Sequence, residues 1–458
     1  MLVLRSTRLL YQTSIFISIV ILILVALRTT PLKESLYRFK EKHIDVHTHH
    51  DDEGSPQPKQ KPVPEYMPPP ISDPFPLLAT SMPPAIPSYN VPEKDAWKKY
   101  GLPIAPPLVI GFTRSWPMLL QTVVSYITAG WPPEQIYVVE NTGMQQANAR
   151  GQLTLQHPWY LNHEILKKKL GVNIIQTPVL LTFAQLQNFF LSLSYTHEWP
   201  FYFWSHMDVL ALGHEDGLEN VTARAGEPGY KSLYTLCLEE VNRTLATDDQ
   251  WGLRFFAYDH LTLQNPRALE DIGGWDTLIP YYMTDCDAYT RLTMRNWSQR
   301  DANCGIVTDT SVALDDLLAL YRDPKITPKF TDPNPPPPPP PPPPPKPDDG
   351  VAARDDGEAP PPDMSDPIEY WKTLRRVADS MFHYKHGDRG RNTWQAGQHG
   401  GEGEPFYYDS AGFTEALEVL TEAGKEVYRR KWGHRDCDLI KGGGLEFEDQ
   451  WHVRPDWE

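Results

Sequence analysis

The chain has 458 residues, and 43 Lys and Arg against 59 Asp and Glu give a formal net charge of −16 at pH 7, which argues against binding to the phosphate backbone of nucleic acids. The 47 Pro and 29 Gly are too many for one compact domain, so the composition predicts one medium-sized domain with long extended linkers. The four scattered Cys include no Cys-x-x-Cys pair, which argues against a disulfide-rich scaffold and a cysteine zinc site.

A mostly apolar run of 19 residues spans 9–27. At about 1.5 Å per residue, a helix of this length just crosses the apolar core of a bilayer. The alternative is a cleaved signal peptide with 15–27 as its apolar part, but no small-x-small cleavage site follows. The sequence therefore predicts a transmembrane signal anchor at 9–27, preceded by a cytosolic tail at 1–8.

Three Asn-x-Ser/Thr sequons lie far beyond this run, at Asn220, Asn242 and Asn296. They can carry glycans only if the large C-terminal part lies in the lumen of the secretory pathway. Basic residues flank the apolar run on both sides, so charge does not settle the orientation. We expect a single-pass type II membrane protein with these three asparagines in its lumenal part.

Two Pro-rich stretches predict the domain boundaries. Thirteen Pro fall between residues 56 and 92 of a stem expected over 28–100, which has no helical or strand periodicity. A run of eleven Pro inside 331–364 can neither pair as a strand nor continue a helix, so this segment is expected to be a disordered insertion. These stretches leave a main globular block at 101–330 and a C-terminal extension at 365–458.

The main block alternates between short apolar runs and helical patterns. Buried strands are predicted at 108–112, 135–139, 172–175 and 201–204, with helices at 118–129 and 183–193. Such repetition predicts an α/β fold with a mixed, mostly parallel sheet flanked by helices. Ligands of these sheets bind at the carboxyl ends of the strands.

Polar residues follow two of the predicted strands. Glu140 and Asn141 come after the second strand, and His206 and Asp208 come after the fourth. A His and an Asp two positions apart on an extended chain point to the same side, so both can reach one divalent ion or a diphosphate-bound ion. The alternative is a pair of hydrogen-bonded loop residues without a ligand.

The most distinctive stretch of the sequence is 271–292. Its Gly-Gly-Trp turn offers a flat apolar ring at Trp275 that suits stacking on a sugar. Asp285 and Asp287 follow near the start of a predicted helix, where carboxylates also serve as ordinary capping residues. The sequence alone leaves both roles open.

The C-terminal extension predicts two amphipathic helices. The first begins after Asp366-Pro367 and the second covers 413–427. The polar, Gly-rich stretch from 383 to 404 lies between their apolar patterns, and its composition is typical of a solvated connection. His386 lies in this stretch.

Together these pieces resemble the GT-A fold of nucleotide-sugar glycosyltransferases, closest to the type II membrane-anchored enzymes of the Golgi, fungal ones included. The resemblance covers about 104–300 and implies a Rossmann-like sheet. In these enzymes an acidic residue follows the second strand, an Asn lies on the helix before the metal motif, and the motif itself is Asp-x-Asp. The resemblance thus implies donor-binding roles for Glu140, Asn141, Asn188, His206 and Asp208.

The metal motif of this chain departs from that pattern, because His206 takes the place of the first acidic residue. A His binds a metal only in its neutral form, and Mg²⁺ prefers oxygen ligands. The resemblance therefore implies a divalent ion, with Mn²⁺ favoured over Mg²⁺. The ligands of this ion would be Asp208, His206 and His386. In such enzymes a C-terminal loop often closes over the diphosphate, and the stretch 383–404 is the candidate for that loop.

The stretch 271–292 resembles the acceptor motif of inverting galactosyltransferase-type enzymes. In that register Asp285 is the general base, and Asp287 is the alternative candidate for the same role. The acceptor, a glycan, glycoprotein or glycolipid, would be bound by Gly274, Trp275, Asp276 and Tyr281. The implied reaction is transfer of a hexose or N-acetylhexosamine from a nucleoside-diphosphate sugar.

Two other functions remain open on the sequence. The incomplete acidic metal motif leaves open a non-catalytic lumenal protein that binds a glycan or an active transferase. A glycoside hydrolase using Asp285 and Asp287 is less favoured, because residues two apart in sequence seldom flank a bond at the required separation of about 5 Å or more.

Overall fold

The structure is a computed structural model that describes residues 70–332, 364–387, 400–406 and 409–457. The chain divides into two units, Met1–Glu65 and Tyr66–Glu458, and all described residues belong to the second. The predicted anchor at 9–27 lies outside the described residues. Within the described ranges, no helix combines the length and the apolar character that crossing a membrane requires.

The main sheet of the described chain has seven strands, β1 (Leu108–Phe112), β2 (Ile136–Glu140), β3 (Asn173–Gln176), β4 (Tyr202–Ser205), β6 (Trp251–Phe256), β7 (Leu261–Gln264) and β8 (Ser298–Asp301). Their order in the sheet is β3-β2-β1-β4-β7-β6-β8. Strands β3, β2, β1 and β4 run parallel, whereas β7 is antiparallel to both β4 and β6. The predicted mixed, mostly parallel α/β sheet is thereby confirmed.

A second, two-stranded sheet pairs β5 (Val209–Leu212) with β9 (Ile306–Asp309) in antiparallel fashion. Val209 lies opposite Asp309 in the register. Because β5 begins directly after Asp208 and β9 ends at Asp309, this small sheet brings the two carboxylates close together.

Helices cover both faces of the main sheet. The α-helices of the described chain are α1 (Ala96–Lys99), α2 (Trp116–Thr128), α3 (Gln145–Ala149), α4 (Phe183–Thr196), α5 (Leu233–Thr247), α6 (Pro266–Asp271), α7 (Thr284–Met294), α8 (Pro367–His386) and α9 (Ser410–Trp432). Side chains alternate across each strand, so Ile110 packs in the core that α2, α5 and α8 cover, and Val109 packs in the core that α4, α6 and α7 cover.

The main core receives side chains from outside the predicted block 101–330. Phe75 and Leu78, from the expected stem, are buried in it. Leu374 and Met381 of α8, from the expected C-terminal extension, are buried in it as well. A Pro-rich segment can therefore still pack when it carries apolar side chains between its prolines.

A disulfide joins Cys286 of α7 to Cys437, 151 positions along the chain, with their Cα atoms 5.4 Å apart. It ties the start of α7 to the segment after α9. Cys237 and Cys304 are free and buried.

Removing this cross-link is expected to destabilise the fold. Cys437→Ser should lower the free energy of unfolding by about 2–5 kcal/mol, since the unfolded chain regains the entropy of a long closed loop. A drop in melting temperature of the full chain in detergent would measure this. Reductant should lower the melting temperature of the wild type and leave that of the variant unchanged; a wild type that does not respond to reductant would contradict the assignment.

Candidate active site

The candidate site lies at the carboxyl ends of the parallel strands. The segment 206–208 follows β4, and the turn 257–260 lies beside it because β7 pairs antiparallel with β4, with Ser205 opposite Leu261. The end of β9 and the last turn of α8 complete the site. Four segments that are far apart in sequence therefore meet at one edge of the sheet.

Helix α2 fixes the segment that carries Asp208. The buried hydroxyl of Thr122 lies 2.7 Å from the carbonyl oxygen of Met207 and 2.8 Å from that of Val209. The backbone N–H of Thr310 donates to the carbonyl of Asp208 at 2.8 Å. Buried polar groups of this kind hold the backbone in one conformation because leaving them unpaired is costly.

A cluster of carboxylates and imidazoles occupies this edge. Asp208, Asp259 and Asp309 are all buried. The Nδ1 atom of His206 is 3.7 Å from Asp208 Oδ1, and its Nε2 atom is 3.6 Å from Asp259 Oδ1. The ring centroid of His260 is 5.4 Å from that of His206.

The charges in this cluster shift one another's pKa values. Burial works against a charged His206, but the carboxylates of Asp208 and Asp259 outweigh it and raise its pKa. Burial likewise disfavours the Asp208 anion, yet His206 and Lys385 hold the pKa of that carboxyl well below its usual range. Asp208 is therefore ionised at neutral pH.

Lys385 of α8 lies between two of the carboxylates. Its Nζ atom donates to Asp208 Oδ2 at 2.9 Å and to Asp309 Oδ1 at 2.6 Å. The second Asp309 oxygen is 2.9 Å from His386 Nε2. Burial opposes the charge of Lys385, but the two carboxylates outweigh it and raise its pKa.

The metal-ligand set expected from the sequence is not assembled in this part of the chain. His206 and Asp208 face each other, but His386 is hydrogen-bonded to Asp309 instead. Among the described residues, one group of three side chains is close enough together to bind a metal ion. It consists of His434, Asp436 and Asp438, which lie outside this site. An ammonium takes the place next to Asp208 that a third ligand or the ion itself would need, so these residues do not fit a divalent ion.

Asp285 lies in the first turn of α7, as the sequence predicted. Its Oδ2 atom is 3.5 Å from the hydroxyl of Tyr258, which belongs to the turn after β6. Burial raises the pKa of Asp285, and the negative charge of Asp259 adds to the rise. The carboxylate that adds to the rise is therefore Asp259, from the turn 257–260. A half-buried carboxylate with a raised pKa suits a general base.

The turn next to Asp285 has an uncommon backbone. Ala257 and Tyr258 have φ values of 59° and 56°, a left-handed conformation that costs about 1–3 kcal/mol for each non-glycine residue. Tyr258 is mostly exposed, and Asp259 accepts a 3.2 Å hydrogen bond from Tyr289. Left-handed non-glycine residues cluster at functional sites, where the surrounding structure holds them.

Asp287 has a structural role in α7. Its side chain is fully buried, and it is paired with Arg291 at 2.7 Å and with Lys431 at 2.7 Å. The indole N–H of Trp432 also donates to it. Because both of its oxygens are used inside the protein, neither the fallback role as base nor a paired-carboxylate hydrolase fits its position.

Glu140 and Asn141 are placed at the same sheet edge, at the end of β2. Both are buried. Glu140 accepts hydrogen bonds from Asn148 at 2.8 Å and Gln176 at 2.9 Å. The side-chain amide of Asn141 donates to the carbonyl of Leu181 and accepts from its backbone N–H. Their donor-binding role stays a prediction, and the structure shows them joining neighbouring loops.

Asn188 and the Gly-Gly-Trp turn form one unit. The Asn188 amide accepts from the N–H of Trp275 and donates to its carbonyl, both at 2.8 Å. A Cβ on Gly274 would lie 2.6 Å from Asn188 Oδ1, so only glycine fits there. The ring of Trp275 is 2% exposed and packs on Phe183 and Tyr289. This position leaves no open face for the expected stacking on a sugar.

The other expected acceptor residues flank this turn. Asp276 is held by Lys431 at 2.8 Å. Tyr281 is partly buried, whereas Tyr282 is exposed. Tyr282 is therefore the accessible aromatic ring of this stretch.

Sequence reasoning missed Asp259 and Asp309 and gave no specific role to Lys385. Asp259 lies in a turn between two strands and Asp309 at the end of a strand, which are positions where ligand-binding residues of such sheets are found. Their positions at strand ends could therefore have identified both aspartates from the sequence. Nothing in the sequence could have indicated the contacts of Lys385, because its two partners are 177 and 76 residues away.

Comparisons with known proteins add little to this geometry. No family model matches the chain, and no curated protein matches it. A cytidylyltransferase from Leptospira borgpetersenii serovar Hardjo-bovis shares 10% identity over 44% of this chain and 76% of that chain, with a TM-score of 0.27. A mannosyltransferase from Pyrobaculum calidifontis, solved with GDP-Man and Mn²⁺, shares 12% identity over 72% of this chain and 91% of that chain, with a TM-score of 0.29. At such TM-scores neither likeness supports a statement about this chain.

Proposed function

We propose that the protein is an inverting glycosyltransferase that moves a sugar from a nucleoside-diphosphate sugar to a hydroxyl of a glycan, glycoprotein or glycolipid. One observation carries the proposal. Asp285, half-buried and with a raised pKa, shares a sheet edge with the His206, Asp208 and Lys385 cluster. A base and a charged diphosphate site are what such a transfer needs.

In the proposed reaction, Asp285 accepts the proton of the acceptor hydroxyl. The acceptor oxygen forms a bond to the anomeric carbon while the bond from that carbon to the diphosphate oxygen breaks. The electron pair of the broken bond leaves with the diphosphate on the side of Asp208. Because attack and departure occur on opposite faces, the anomeric configuration inverts.

Other features support a lumenal, membrane-anchored enzyme of the Golgi or ER. A disulfide such as Cys286–Cys437 is typical of oxidising compartments. The sequon residues Asn220, Asn242 and Asn296 are exposed on the described surface. The proposed type II anchor is 9–27, which lies outside the described residues.

Nucleotide binding tests the proposal. The full chain in detergent should bind either UDP or GDP in a calorimetric titration. Asp208→Ala should weaken this binding about tenfold or more, because Asp208 orients both His206 and Lys385 at the diphosphate side. Asp285→Asn should leave the binding unchanged.

The outcomes separate the competing functions. Failure of both UDP and GDP to bind would contradict a transferase and favour the non-catalytic glycan-binding protein. Hydrolysis of a glycoside without any nucleotide sugar would favour a hydrolase. Equal loss of nucleotide binding in both variants would contradict the division of roles between Asp208 and Asp285.

A further inference from the structure

Two carboxylates from different strands enclose one cation in this site. Asp208 follows β4 and Asp309 ends β9, and both accept a hydrogen bond from Lys385 Nζ. The side chains of Lys385, Asp208 and Asp309 are 4%, 9% and 6% exposed. A buried group of this kind persists only when its charges are paired, since an unpaired buried charge is strongly destabilising.

The oxygens of both carboxylates already face protein cations or imidazoles. Both Asp309 oxygens are hydrogen-bonded, one to Lys385 and one to His386. Lys385 binds Oδ2 of Asp208, and the other oxygen, Oδ1, lies 3.7 Å from His206 Nδ1. A divalent ion bound to Asp208 would lie next to the Lys385 ammonium. Two cations at such a short distance repel each other strongly in a buried site.

We infer that Lys385 is the resident cation of the Asp208–Asp309 site and that a nucleoside diphosphate binds there without a divalent metal ion. This inference rests on the proposed function and assigns its diphosphate subsite. An ammonium has three N–H donors, and the two carboxylates use two of them. Within the described residues the third donor has no hydrogen-bond acceptor, and we assign it to a phosphate oxygen.

Lys431 provides a matched comparison elsewhere in the fold. Its ammonium bridges Asp276 at 2.8 Å and Asp287 at 2.7 Å, and its side chain is as buried as that of Lys385. It lies beneath α7, where Arg291 shares Asp287 with it. Two lysines thus have the same bonding pattern, but only Lys385 belongs to the carboxyl edge of the strands.

Manganese titration of the full chain in detergent, followed by electron paramagnetic resonance, tests the occupancy of the site without any nucleotide. The wild type should show no Mn²⁺ site that depends on Asp208. Lys385→Met should gain one, with affinity at least about tenfold higher, because two buried carboxylates lose their cation. Mn²⁺ should also raise the melting temperature of Lys385→Met, since an ion that binds only the folded state stabilises it.

The nucleotide arm uses whichever of UDP or GDP binds the wild type. Excess EDTA should leave that binding unchanged. Lys385→Met should bind at least about tenfold more weakly in EDTA, whereas Lys385→Arg, which keeps the charge, should retain most of the binding. The control Lys431→Met should lose stability but keep EDTA-insensitive binding.

Each result decides the inference. Loss of wild-type nucleotide binding in EDTA and its recovery with Mn²⁺ would overturn it, and so would a Lys385→Met variant that binds nucleotide as the wild type does. If Lys385→Met does not fold, the wild-type EDTA and Mn²⁺ titrations still decide. If neither nucleotide binds at all, the proposed function fails, and the Mn²⁺ titration alone decides whether Lys385 occupies the site.

Discussion

Asp285→Asn is expected to lower the rate of sugar transfer by about 10²- to 10⁴-fold, the usual contribution of a general base. The amide keeps the shape of the carboxylate and cannot accept the proton of the acceptor hydroxyl. Nucleotide binding should remain intact, so the loss should fall on kcat. Single-turnover transfer from a radiolabelled donor would measure it.

The matched control is Asp301→Asn. Asp301 ends β8 at the same edge of the sheet, and it is exposed. Its loss should leave transfer unchanged. A comparable loss in both variants would show that the rate responds to the overall charge of this edge and not to a base at Asp285.

The raised pKa of Asp285 gives this prediction a pH dependence. The base acts only when it is ionised, so kcat/KM should fall on the acid side at a higher pH than an ordinary aspartate would give. The same raised pKa affects fold stability in the opposite direction, so that its contribution to stability decreases as the pH rises. A pKa raised in the folded state means that the protonated form stabilises the fold at low pH and that this contribution is lost as the pH rises through the folded pKa. At neutral pH, Asp285→Asn should therefore be at least as stable as the wild type.

Asp287→Ala should act in the opposite manner and destabilise the fold by about 3–5 kcal/mol, because it removes a carboxylate from two buried cations. Arg291 and Lys431 would both lose a carboxylate at 2.7 Å. The midpoint of urea unfolding of the full chain would show this loss. The two aspartates are two positions apart, so the pair forms its own control.

A particular pattern would contradict these roles. If Asp287→Ala were as stable as the wild type and had lost only transfer, Asp287 would be the base and Asp285 would have another function. If Asp285→Asn were strongly destabilised, its carboxylate would be part of the structural network.

Local order could be predicted from the sequence because short-range physical chemistry determines it. The apolar run at 108–112 forms β1 as expected, and the predicted strands at 135–139 and 172–175 shift by one residue in β2 and β3. The start of α7 was also predicted, since carboxylates in the first turn of a helix interact favourably with the helix dipole. These features depend on neighbours within a few positions.

The side chains that face the site could not be predicted in the same way. On a helix, residues two apart point to nearly opposite sides, so the sequence does not say which of Asp285 and Asp287 is buried. The packing of α9 decides it, because Lys431 and Trp432 bind Asp287. Trp275 was placed in a turn, but its ring is buried because Phe183 and Tyr289 supply the packing partners.

The cation of the site depends on contacts between distant segments. The register of β5 against β9 places Asp309 opposite Val209, next to Asp208. Lys385 then reaches both carboxylates from α8, on the far side of the Pro-rich insertion in the sequence. No spacing rule links these three residues, so reasoning from local patterns had assigned the position to a divalent metal.

Hydrogen–deuterium exchange of the full chain, with and without the nucleoside diphosphate that binds, tests most directly whether one cleft holds both the diphosphate cluster and the base. We expect slower exchange in the backbone after β4, in the turn 257–260 and in the last turn of α8, with the start of α7 protected when the full nucleotide sugar is used. Protection confined to another face of the sheet, or a start of α7 that never responds to the nucleotide sugar, would contradict a shared cleft for Asp208 and Asp285.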